Sequence, residues 1–140
     1  RAPISEGEIT VGNIYEVMPF DNEIVVVQLS GQKVFELANY VVQYGGHPMS
    51  GIEIVAEKKN DIYEIEVFIH DLLSVLEKEY YVVTSDYLAN GGDHMNFFKE
   101  PIALTRSGVL LRDAIIAYIE KLDSSVSSKV EGRLKIKDHE

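Results

Sequence analysis

The chain has 140 residues, a usual size for one domain, and 46% of them are apolar, enough for an ordinary core. Its 13 basic and 23 acidic residues leave a net charge of −10, which argues against DNA or RNA as the main partner but not against a small nucleotide held by one or two local cations. It has no cysteine, which closes the disulfide route to compartment, and no apolar run approaches the length of a membrane span.

The start, Arg1-Ala2-Pro3-Ile4, is neither a signal peptide nor an initiator methionine, so the chain is expected to be processed or cut from something longer. After the Ser5-Glu6-Gly7 turn, Thr10 can cap a short helix carrying Ile14, Val17 and Met18, and Pro19 ends it. Ile24 to Leu29 is β-branched and almost continuously apolar, which predicts a buried strand. Ser30-Gly31 turns the chain. The period then changes: Val34, Leu37, Ala38, Val41 and Val42 share one helical face, with Lys33, Glu36, Asn39 and Gln43 opposite, until Gly45-Gly46 stops the helix.

Ile52 to Ala56 and Tyr63 to Ile69 alternate as strands, with Lys58-Lys59-Asn60-Asp61 as a hairpin turn. Tyr80 to Thr84 is another strand, running into Ser85 to Asp93. Residues 109–122 read as a second helix with Leu111, Ala114, Ile115, Tyr118, Ile119 and Leu122 inward, followed by a polar linker at 124–128 and a short strand at 132–136. Helices interspersed with hairpin-like strands predict one α+β domain with a mixed β-sheet packed by helices.

A search for catalytic chemistry comes back empty. His47, His70, His94 and His139 show no metal-ligand spacing, and neither a nucleophile elbow nor a phosphate-cradling Gly-Lys loop occurs. Three places stand out. Phe20, after Pro19 and before Asp21-Asn22, sits at a helix-to-strand corner; from residue type alone it is a core plug. Asn90-Gly91-Gly92-Asp93 allows a turn with close backbone approach, and Asp93 can cap a helix through 95–98 or accept from a ligand's hydroxyl pair. Tyr87, just before it, can be core or can present its face to a ligand. Arg1 is the third, an ordinary solvated terminus unless it completes a larger site.

In order and spacing these segments resemble the C-terminal domain of the 5'-nucleotidase and UDP-sugar hydrolase family. The resemblance runs through Arg1, Gly7-Glu8-Ile9-Thr10, Val17-Met18-Pro19-Phe20-Asp21-Asn22, the helix opened by Gly31, Tyr87 to Met95, and Glu131-Gly132-Arg133, ending near residue 136. It implies a nucleotide clamp: Phe20 and Tyr87 sandwich the base, Asp93 in the Asn90-Gly91-Gly92 loop accepts from the ribose hydroxyls, and Arg1 reaches the phosphate. A change between phenylalanine and tyrosine at position 87 preserves stacking. The family pattern has glycine and an aromatic after the aspartate where this chain has His94 and Met95, which bears on substrate range.

The resemblance also implies that catalysis belongs to a metallophosphoesterase domain holding two divalent metals such as zinc or manganese, which is expected to be absent from residues 1–140 and supplied in cis or in trans. The expected role is nucleotide recognition for a 5'-nucleotidase, with this chain alone inactive, in a periplasmic, cell-surface or secreted setting. A stand-alone nucleoside- or nucleotide-binding module and a scaffold or interaction domain that lost its ligand are the other readings.

Overall fold

The computed structural model describes residues 3–60 and 62–138. Helix α1, Val11–Val17, begins where expected: the Thr10 side chain accepts from the Asn13 N–H, and the Asn13 side chain answers at the Thr10 N–H. Strand β1, Glu23–Ser30, follows, and its last residue caps helix α2, Gly31–Gln43, through the Ser30 hydroxyl. The hairpin is β2, Ile52–Lys59, and β3, Ile62–Ile69, with Lys59 opposite Ile62. Asn60 takes a φ of +49° there, and Asp61, the last residue of the expected turn, lies outside the described residues. Leu72–Leu73 (β4) and Glu79–Ser85 (β5) come next. One helical turn, Asp86–Ala89 (α3), leads into two short 3₁₀ turns, Gly92–His94 and Asn96–Phe98. Ala103–Leu110 (β6), Leu111–Glu120 (α4) and Leu134–Asp138 (β7) complete the chain.

The expected α+β architecture is observed, with two sheets instead of one. The first is antiparallel in the order β5-β1-β6; the second is mixed, β4-β3-β2-β7, with β2 and β7 parallel. Helix α2 contacts strands of both, so its apolar face, Val34, Ala38, Val41 and Val42, closes one core with Val25, Val27 and Leu29 of β1, Ile54 and Ala56 of β2, and Val67 of β3. Gly31 permits this. A β-carbon there would stand 2.1 Å from the Val75 carbonyl oxygen, so only glycine lets the start of α2 lie against that backbone.

Three expectations change. Strand β1 alternates instead of being buried throughout, because its sheet is covered on one face only; on the other, Tyr81 and Val83 are 72% and 67% exposed. The expected helix over 109–122 is shorter, and residues 103–110 form an edge strand instead. On α4 the deepest residue is Arg112, not the apolar stripe, and Tyr118 points outward. Among the described residues no helix is long and apolar enough to cross a membrane.

Candidate functional site

The two aromatics singled out in the sequence leave the same end of paired strands. Ile24 pairs with Ser85 across β1 and β5, which puts Phe20 four residues before that pair and Tyr87 two residues after it. Asp86 ties the two exits together, since its Oδ1 accepts from the N–H of Glu23 at 3.0 Å and from the N–H of Tyr87 at 2.8 Å. Phe20 is 68% exposed and does not fill the core, so the core-plug reading of this corner is overturned. Tyr87 is 47% exposed.

Tyr87 and Asp93 form one unit. The Tyr87 hydroxyl donates to Asp93 Oδ1 at 3.0 Å and accepts from the Asp93 N–H at 3.3 Å. The ring lies on Gly92, where a β-carbon would stand 2.4 Å from Tyr87 Cε1. Gly91 takes a φ of +86°, a left-handed conformation that glycine adopts without penalty. Asn90 is engaged in finishing α3: its backbone N–H and its side-chain amide both donate to the Asp86 carbonyl.

Asp93 does not cap a helix. It lies inside the first 3₁₀ turn at φ +52°, and the second turn starts from Met95 with no side-chain cap. The reason is conformational: an N-cap residue needs extended φ/ψ, and Asp93 is left-handed. His94 follows at φ +62°, so the residue standing where the family pattern has glycine adopts a glycine-like conformation.

A cavity of about 600 Å³ opens beside this unit, lined by Tyr87, Gly91, Gly92, Asp93 and His94 on one side and by Tyr40, Tyr44 and His47 on the other. Tyr40 donates its hydroxyl to the Asp93 carbonyl at 2.7 Å, and burial, then Tyr44 and Asp93, push its pKa up, so it stays a donor. Tyr40 and Tyr44 stack at 4.3 Å between ring centroids, with His47 5.3 Å from Tyr40. The sequence reading missed this aromatic wall. Its signal is the spacing of residues 40, 44 and 47 along one side of a helix and its exit, which the apolar stripe of that helix does not include. Phe20 is not among the cavity's lining residues, and Arg1 lies outside the described residues.

Charge at the strand exits is organised around Glu23. Its Oε1 accepts from the Gly108 N–H at 2.8 Å, and its Oε2 pairs with Arg106, which also approaches Asp86 at 3.7 Å. The Gly108 bond and then Arg106 hold the Glu23 carboxyl below its ordinary value, against an opposing contribution from desolvation.

The family model of the 5'-nucleotidase C-terminal domain matches residues 1–100. The chain belongs to that family. It is 30% identical over 148 residues to a trifunctional nucleotide phosphoesterase of Bacillus subtilis, YfkN, covering 96% of this chain and 10% of that protein. It is 32% identical over 157 residues to the mouse 5'-nucleotidase, covering 96% of this chain and 27% of that one. A crystal structure of a 5'-nucleotidase precursor from Thermus thermophilus superposes with a TM-score of 0.77 at 30% identity, over 97% of this chain and 29% of its own. The chain thus spans less than a third of the length of these relatives.

Proposed function

We propose that this chain is the substrate-recognition domain of a 5'-nucleotidase-type phosphoesterase. It holds the base and ribose of a nucleotide while a separate dimetal domain, in cis or in trans, cleaves the phosphate ester. The observation that carries the reading is the coupling of Tyr87 to Asp93 at the rim of the cavity, with Phe20 exposed at the same end of the same strands. Exposed aromatic faces accept any base from either side. Tyr87 occupies Asp93 Oδ1, and among the described residues no hydrogen bond reaches Oδ2. A carboxylate has about four acceptor positions, so Asp93 retains capacity for a ribose hydroxyl pair.

The relatives' names, nucleotide phosphoesterase and 5'-nucleotidase, supply the substrate class and the reaction. Arg1 would serve the phosphate. The family implies a periplasmic, cell-surface or secreted setting. Among the described residues no group of three or more His, Cys, Asp or Glu side chains could hold a metal ion, and on this reading the two divalent metals belong to the separate domain.

The test is an NMR titration of the 140-residue chain with adenosine, comparing wild type with Asp93→Ala and checking that both are folded. Two stacking contacts of roughly 1–3 kcal/mol each, offset by the cost of association, give an expected Kd no better than about millimolar. Shifts should centre on Phe20, Tyr87 and the 90–94 loop, and Asp93→Ala should bind more weakly. No response at about 10 mM adenosine, where a millimolar site would be mostly filled, would overturn the recognition role. Unchanged affinity in a folded mutant would remove Asp93 from the ribose.

A further inference from the structure

The loop that carries Phe20 is exposed, yet it is fastened from one direction. Arg112, the second residue of α4, is 8% exposed, and among the described residues no other charged residue is so deeply buried. Its Nη1 donates to the Met18 carbonyl at 3.3 Å and its Nη2 to Asp21 Oδ1 at 2.6 Å, one partner on each side of Phe20. Its guanidinium carbon stands 4.1 Å from the centroid of the Tyr15 ring on α1. The neighbouring Leu111 N–H donates to the Asn22 carbonyl at 2.8 Å. The first turn of α4 therefore grips residues 18, 21 and 22, while the Phe20 ring stays exposed.

Burying a guanidinium is a poor way merely to pack two helices. Desolvation of the charge opposes it, and Nε is buried here with no partner among the described residues. An apolar side chain would join α4 to α1 at lower cost. What the planar fork adds is direction, because it fixes two donors at set angles and so sets the path of the backbone between them. We infer that Arg112 is the positioning residue of the base-stacking loop, fixing the angle at which Phe20 is offered to a nucleobase. This rests on the proposed role of Phe20 in nucleoside recognition.

The experiment is a double-mutant cycle in the 140-residue chain, pairing Arg112→Gln with Phe20→Leu. It is read by adenosine titration, and in parallel by backbone ¹⁵N relaxation of residues 20–22. If Arg112 acts through Phe20, Arg112→Gln weakens adenosine binding about fivefold or more when Phe20 is present and has almost no further effect beside Phe20→Leu. The relaxation data should show residues 20–22 loosened in Arg112→Gln. A merely structural role would give equal losses in both backgrounds, and that result, or unchanged affinity, overturns the inference.

If wild type shows no response to adenosine, the recognition reading falls on its own. The relaxation data then decide the positioning role: a loop that is ordered in wild type and loosened in Arg112→Gln supports it, and an unchanged loop overturns it. Should Arg112→Gln fail to fold, Asp21→Ala takes its place. Asp21's side chain is 75% exposed, so its loss leaves the core intact while removing one arm of the grip. The same coupling is expected from it, and its absence overturns the inference.

Discussion

Replacing Gly92 with alanine should damage ligand binding more than stability. A β-carbon at this position would lie 2.4, 2.5 and 2.7 Å from Cε1, Cζ and Cδ1 of Tyr87. Carbon atoms settle at roughly 3.5–4.0 Å, so the ring must withdraw by about 1 Å or swing away. Either movement breaks the pair of hydrogen bonds between the Tyr87 hydroxyl and Asp93, now at 3.0 and 3.3 Å. Because Tyr87 is half-exposed, it has solvent to move into, and because both lost bonds are exposed each should cost near the low end of about 0.5–1.5 kcal/mol, about 1 kcal/mol for the pair. Binding loses one stacking face, roughly 1–3 kcal/mol, which is about 5- to 150-fold in Kd. The assay is adenosine titration by NMR alongside a urea unfolding curve for each protein. A folded Gly92→Ala chain with wild-type affinity would refute the reasoning, since it would mean that the ring's seat on Gly92 does not set the site.

Gly31→Ala should act in the opposite way, lowering stability by about 1–3 kcal/mol despite the gain in helix propensity, because the atoms it meets are the backbone of Val75 and Leu76; an unchanged urea midpoint would contradict this. Glu23 has a folded pKa below its ordinary value of 4.5, so its contribution is complete above that value and is lost as pH falls through the folded one. Glu23→Gln should therefore lower stability most above about pH 4.5, and its difference from wild type should shrink as pH falls through the folded value, flattening the acid limb of a stability–pH profile. The 140-residue chain should not release phosphate from AMP with added Mn²⁺, Zn²⁺ or Mg²⁺, given the lack of a metal-ligand group among the described residues; metal-dependent release by phosphatase-free material would show otherwise.

What could be read in the sequence was what local burial writes into it. Helix α2 and the strands on either side of it announce themselves because one face of each is driven into the core. Strand β6 escaped because Ala103 to Val109 is exposed throughout, so no alternation between core and solvent was imposed on its residues. Helix α3 is a single turn and has no period to detect. The exits that carry Phe20 and Tyr87 were legible as ordered motifs, whereas their surroundings were not. Tyr40 reaches Asp93 across 53 positions, and Arg112 reaches Asp21 across 91. A tyrosine on a helix side and an arginine in a first helical turn look like solvent-facing residues until their partners are placed.

The same distinction bears on how the candidate site is built. Phe20 and Tyr87 are positioned by backbone they do not own: Asp86 joins the two strand exits, Arg112 and Leu111 hold the first loop from α4, and Gly92 provides a seat for the second ring. On the proposed recognition role, rigid placement matters more than additional contacts, because a base held mainly by stacking gains little from directional bonds, and each loose ring must be ordered at the moment of binding. Such a site should tolerate a change of ring at position 87 more readily than a change in any of the small or charged residues behind it. Tyr87→Phe keeps the stacking face and forfeits only the link to Asp93, whereas Gly92→Ala displaces the face itself.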